Sequence, residues 1–199
     1  MDDYKIFNRW SVKEIRVEDA GLRDYITLTP LIVPRTGGRN FGTRFNKSKT
    51  NIVERFMNKI MVSGHKGKKH FKTSGRSTGK AQDAYKIMES TLELIEKRAN
   101  KNPIAVLVKA IENAAPREDI TRLTRGGISY TQAVDISPMK RVDESIKNIA
   151  LAAFQQSFNT KVSAQEALAK EIILAAKGEA SSFAIKRRDE IERIAKASR

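Results

Sequence analysis

His65 and His70 are the only two histidines in this chain and its best candidates for holding a metal or moving a proton, but their surroundings suit neither task. Both lie in the basic stretch SGHKGKKHFKTSGRSTGK (63–80), with no cysteine and no neighbouring carboxylate to complete a ligand set or orient a ring. The adjacent lysines disfavour the imidazolium and repel a cation. GRSTGKA (75–81) imitates a nucleotide-binding loop, but only three residues separate its glycines, Ala81 stands where a magnesium-binding hydroxyl belongs, and no apolar strand precedes it. At a helix N-terminus, Gly79 and Lys80 still suit a backbone phosphate. Glu89, Glu93 and Glu96 are spaced as a solvated helix face, and no serine has a paired base. No catalytic residue, metal site, cofactor or small-molecule substrate is expected.

The remaining chemistry is charge. Lys and Arg number 38 against 23 Asp and Glu, a net +15. Residues 35–80 hold 13 basic residues and one acid, Glu54 (13 − 1 = +12), leaving 25 − 22 = +3 for the rest. Charge this concentrated favours a polyanion, whose released counterions drive binding. An anionic membrane surface or a solvated tail is the plainer alternative. The Gly, Ser, Thr, Asn and aromatic residues of the segment favour a nucleic acid, because they can approach a folded backbone. The absence of cysteine suits a reducing compartment. No apolar run approaches the roughly 18 residues of a membrane span, and MDDYKIFNRW lacks the apolar core of a signal peptide. A soluble intracellular protein is expected.

The elements that must position this charge are mostly helices. Residues 1–34 mix β-branched and aromatic residues around Pro30 and Pro34 and read as short strands or extended segments on a main body, with Trp10 as a packing anchor. RTGGRNFGTRFNKSKT (35–50) lacks periodicity and is expected to be disordered without a partner. Asn51 with Glu54 reads as a capping box before the stripe Ile52, Val53, Phe56, Met57, Ile60. A long helix begins at Ala81. Asn102-Pro103 and Ser137-Pro138 pair a cap with a proline at the first helical position. Ser163 with Glu166 opens a fifth helix ended by Gly178, and a sixth starts near 182. Between the third and fourth helices, TRLTRGGISYTQAV (121–134) sets paired glycines among Thr, Ile, Tyr and Val, the pattern of a hairpin at about 118–136. The fold class is mainly α: a six-helix bundle with a protruding β-hairpin arm and a short-stranded or extended basic N-terminal segment. The division is an N-terminal extension over 1–50 and a helical domain over 51–199.

VERFMNKIMVSG (53–64), IAVLVKAIENAAPREDITRLTRGGISYTQAVDISPMKR (104–141), EIILAAKG (171–178) and AIKRRDEIERIAKASR (184–199) resemble the universal small-subunit ribosomal protein seven family, in its archaeal and eukaryotic form. The resemblance covers nearly the whole chain, and residues 113–141 carry its most specific part. The loop HKGKKHFKTSGRSTGK is longer than in bacterial members, and YKIFNRWSVKEIRVEDAGLRDYITL resembles an extension that bacterial members lack. The resemblance implies a protein of the ribosome, cytoplasmic, that binds the 3′ major domain of small-subunit ribosomal RNA and nucleates assembly of the subunit head beside other head proteins. It implies that the hairpin reaches the intersubunit face near the exit-site tRNA and the messenger path.

Arg35, Arg39, Arg44, Lys47 and Lys49 are the first candidate phosphate contacts, and Lys66, Lys68, Lys69, Lys72, Arg76 and Lys80 the second, with Gly64, Gly67, Gly75 and Gly79 allowing close approach. Phe41 and Phe45 suit base stacking or packing on the protein's own core. Arg122, Arg125, Gly126, Gly127 and Tyr130 form the hairpin set; Tyr130 is equally a cross-strand partner of Leu123 or Thr124. Lys186, Arg187 and Arg188 are further RNA contacts or a solvated helix face. The rival reading is a DNA-bending architectural protein with a basic β-arm.

Overall fold

The computed structural model describes residues 4–62, 65–66, 69–70 and 79–199, giving only the backbone at 40, 41, 65, 66, 69 and 70. The helices are α1 (Ile52–Ile60), α2 (Ala81–Ala99), α3 (Pro103–Ala114), α4 (Pro138–Ser157), α5 (Ala164–Lys177) and α6 (Phe183–Ala197). Two antiparallel hairpins interrupt them: the short pair β1 (His65–Lys66) and β2 (Lys69–His70), and the long pair β3 (Glu118–Arg125) and β4 (Ile128–Asp135). The mainly α bundle with a hairpin arm is the architecture that the periodicity predicts.

Local chemistry sets the boundaries. The Asn51 side chain accepts from the Val53 N–H at 2.9 Å, and that of Asn102 accepts from the Ile104 N–H at 3.0 Å. Each side-chain amide also donates outward, Asn51 to the Thr29 carbonyl and Asn102 to the Ser11 carbonyl. The caps therefore also staple the N-terminal segment to the bundle. Ser163 and Glu166 form the expected reciprocal box, and Gly178 ends α5 at φ +71°. Two expectations need correction. Glu54 does not reach back to Asn51: its carboxylate accepts from the Thr36 N–H (2.9 Å) and hydroxyl (2.8 Å), which a turn brings over the start of α1. Ser137 makes no side-chain cap, and its carbonyl alone begins the ladder of α4.

Phe56, Met88, Leu92, Ile95, Leu107, Ile111, Ile146 and Ile149 are fully buried where the helical stripes meet. Truncating one of them to alanine removes roughly 2–5 kcal/mol. The N-terminal segment joins this core through Ile6, Trp10 and Leu22. It contains 3₁₀ turns and two isolated bridges, Ile6 to Trp10 and Thr27 to Asn51, rather than named strands. Trp10 is a packing anchor: its ring meets Phe7 edge-on, and its indole N–H donates to Glu96 at 3.1 Å.

Asn113 joins three helices. Its amide donates to the carbonyls of Ala175 (3.0 Å) and Ala176 (2.8 Å), satisfying the end of α5, and its carbonyl accepts from Arg188 of α6 at 2.5 Å. The arm begins five residues later, at Glu118, so its root lies close to this three-helix junction.

Candidate nucleic-acid interface

Residues 35–50 are folded onto the bundle, contrary to the disorder expected from their composition. Gly37 and Gly38 turn the chain at φ +65° and +83°, and 3₁₀ turns follow at Arg39–Gly42 and Asn46–Lys49. The segment is pinned at both ends, by Thr36 on Glu54 and by Lys47 Nζ on Asp143 Oδ2 at 2.7 Å. The other Asp143 oxygen meets Arg55, whose side chain is 1% exposed, at 3.2 Å. Arg55 in turn donates to the Tyr25 carbonyl. Thr27 closes the seam by donating to the Ser48 carbonyl. Burial works against the charge of Asp143, but Lys47 and Arg55 outweigh it and hold the carboxyl below the usual carboxylate range.

This anchoring divides the first candidate set. Lys47 is committed to Asp143, whereas Arg35, Arg39, Arg44 and Lys49 project into solvent. Arg35, Thr36, Gly37 and Arg39 line a concavity of about 600 Å³. The Arg44 guanidinium lies 5.0 Å over the ring of Phe45, which is 64% exposed.

In the second set, Lys66 and Lys69 are backbone register partners in the β1–β2 ladder. Lys68, Lys72, Arg76, Gly64, Gly67 and Gly75 lie outside the described residues. Lys80 caps α2 with no side-chain bond, and Gly79 precedes it at φ +73°. Asp83 sits in the first turn of α2 and offsets part of the positive end of the helix.

The arm is an eight-pair antiparallel ladder closed by Gly126-Gly127 at φ +58° and +81°, a turn with both central residues in the left-handed region. Pairing puts Arg122 opposite Thr131 and Thr124 opposite Ser129 on one face, and Arg125 opposite Ile128 and Leu123 opposite Tyr130 on the other. The two arginines therefore address different sides. One face is hydroxyl-rich, while the other exposes Leu123, Tyr130 (45%), Val134 and Ile128 (73%). Tyr130 is thus both a cross-strand partner and accessible. The root is braced by Lys140 on Asp119 (2.9 Å), Arg199 on Glu118, and the Ala133 N–H on the Ser198 carbonyl.

On α6, Arg188 is a strut between Asn113 and Asp189, and Arg187 is paired with Glu190. Lys186 remains exposed, with no ion pair among the described residues. Sequence reading missed Lys59. Lys59 is half-buried on α1, and burial, together with repulsion from Lys47 and Lys147, lowers its pKa, so an arriving anion would relieve it. The only available signal was its position one turn after Arg55. Among the described residues no group of three or more His, Cys, Asp or Glu could hold a metal, and no helix is long and apolar enough to cross a membrane.

Comparison with known proteins gives one consistent result. The family model described as Ribosomal protein S7p/S5e matches residues 22–199. A protein of Nanoarchaeum equitans named small ribosomal subunit protein uS7 is 50% identical over 195 residues, 98% of each chain. Proteins of the same name are 45% identical in Methanosphaera stadtmanae, over 98% of each chain, and 43% identical in Methanococcus aeolicus, over 99% of this chain and all of that one.

Proposed function

This chain belongs to the S7p/S5e family of ribosomal proteins, and from that membership we propose how its surfaces divide the work. It is a structural, non-enzymatic component of the small ribosomal subunit. In our reading it binds the 3′ major domain of small-subunit ribosomal RNA near its multi-helix junction and organises the subunit head with neighbouring proteins. Arg35, Arg39, Arg44 and Lys49, with Lys59 near Lys47, carry backbone phosphates. Lys66, Lys68, Lys69, Lys72, Arg76 and Lys80 extend that grip, and Lys186 is a minor addition. The arm, with Arg122 and Arg125 on its two faces and Tyr130 beside Leu123, reaches toward the exit-site tRNA and the messenger.

The observation that carries the phosphate role is the +12 balance over 35–80, part of it fastened to α1 and α4 through Asp143. Phosphate contacts position a protein, and a fixed platform loses less entropy on binding than a free tail. The test is a titration of labelled 3′-domain RNA at physiological salt against excess duplex DNA and unrelated structured RNA. Survival of the complex against both is expected. Ready displacement by duplex DNA would favour the architectural DNA reading instead.

A further inference from the structure

We propose that the cleft formed by residues 14–18, the end of α2, α3 and α5 docks an acidic amphipathic helix of a neighbouring protein. The cleft encloses about 900 Å³. Half-buried Ile15, Val106, Ile173 and Leu174 form an apolar floor that the described residues leave uncovered. An apolar surface of this kind is favoured when covered, and a helix lays one side-chain stripe into such a groove.

The charges at the lip select the partner. Glu18 and Glu112 share the single cation Lys109, which leaves that group at 1 − 2 = −1, and Glu112 Oε1 also accepts the N–H groups of Glu18 (2.6 Å) and Asp19 (3.1 Å). Arg16, Arg98, Lys101 and Lys170 are exposed and have no ion pair among the described residues, against the single unpaired acid Glu14. Together with the −1 on the Lys109 group, the balance is 4 − 1 − 1 = +2. These exposed cations line the same cleft as the half-buried apolar floor, which suits a partner with carboxylates flanking an apolar stripe. RNA fits less well, because a phosphate backbone gains nothing from covering Val106 and Ile173. The basic segment also sits elsewhere, tied to α1 and α4 rather than to the α3 and α5 walls. The inference therefore stands independently of the RNA reading.

The test uses the full chain and a fluorescent synthetic peptide of about 18 residues, roughly five helical turns. The peptide carries leucines at i, i+3, i+4 and i+7 and glutamates beside them. A scrambled peptide of the same composition controls for generic attraction to a +15 protein. Anisotropy titration at physiological salt is expected to show the ordered peptide binding at least about tenfold more tightly than the scrambled one. The exposed double variant Lys101→Glu/Lys170→Glu is expected to lose that advantage while keeping the wild-type melting temperature. Prebound 3′-domain RNA is expected to leave peptide binding unchanged. Equal binding of both peptides, indifference to the double variant, or displacement by RNA would each overturn the proposal. Failure of RNA binding alone would not touch it.

Discussion

The segment over 35–50 and the arm over 118–135 are both basic excursions from the same bundle, yet they are attached in opposite ways. The first is stapled at both ends: Thr36 to Glu54 at one, Lys47 to Asp143 and Ser48 to Thr27 at the other. The second is stapled only at its root, and its outer half holds its shape through its own ladder and a two-glycine turn. An isolated two-stranded hairpin is marginal in water, so the Ser198, Arg199 and Lys140 contacts at the root determine whether the arm keeps one direction. Charge on a fixed platform suits affinity, whereas a ladder anchored at one end suits reach.

Removing Asp143 should break this contrast most severely. Asp143→Ala strands the Arg55 guanidinium, buried at 1% exposure, and releases Lys47. A buried charge that loses its partner costs about 3 kcal/mol, measurable as a shift in the urea midpoint at constant slope. Hydrogen exchange should rise over 43–50 and stay unchanged in the arm. The acid limb sharpens the point. The folded pKa of Asp143 is depressed, so its stabilisation is present above the unfolded carboxylate value of about 3.9 and is lost as pH falls through the folded value. Asp143→Asn should therefore flatten the loss of stability below about pH 4, without abolishing it, since Asp19 and Asp119 are depressed in the same sense by Arg141 and Lys140. An acid limb unchanged in that variant would show that the clasp is not what fastens the segment.

Next in size is the loss of the platform's free cations. Changing Arg35, Arg39, Arg44 and Lys49 together to glutamine should make the log–log salt dependence of RNA binding shallower by about 3, at roughly 0.7–0.9 per phosphate contact. Circular dichroism should be unaltered, because none of the four carries a salt bridge among the described residues. Arg122→Gln/Arg125→Gln should change the same slope by less than about 1 while altering contacts at the arm's tip, read by footprinting. Equal slopes in the two variants would erase the division between platform and arm.

How much of this was legible beforehand follows from the range of each signal. Helix ranges, the Asn51, Asn102 and Ser163 caps and the glycine turn depend on residues within one or two turns of each other, and the pattern records them. Lys47 and Asp143 are 96 residues apart, and nothing local distinguishes Lys47 from Lys49. Arg188 reads as one of three adjacent cations until Asn113, 75 residues away, is seen to need its guanidinium. Composition counted the charge of 35–50 correctly but could not register the carboxylates, Glu54 and Asp143, that fold it down. The cleft between α3 and α5 has no local signature, since its floor is borrowed from three elements.

The smallest expected effect tests the arm itself. Tyr130 pairs with Leu123 on the more apolar face, both partly exposed, and a cross-strand pair of this kind contributes about 0.2–1 kcal/mol. Tyr130→Ala should leave the global melting temperature within error, because neither ring nor partner belongs to the buried core. It should instead speed amide exchange along 121–132, where the ladder has few other supports. Tyr130→Phe should restore slow exchange, since the ring rather than the hydroxyl makes the pair. A loss near 2 kcal/mol in Tyr130→Ala, well above the range of such pairs, would mean that the arm shares the bundle's cooperativity. The arm would then be a second platform, and the contrast between the two regions would rest on charge alone.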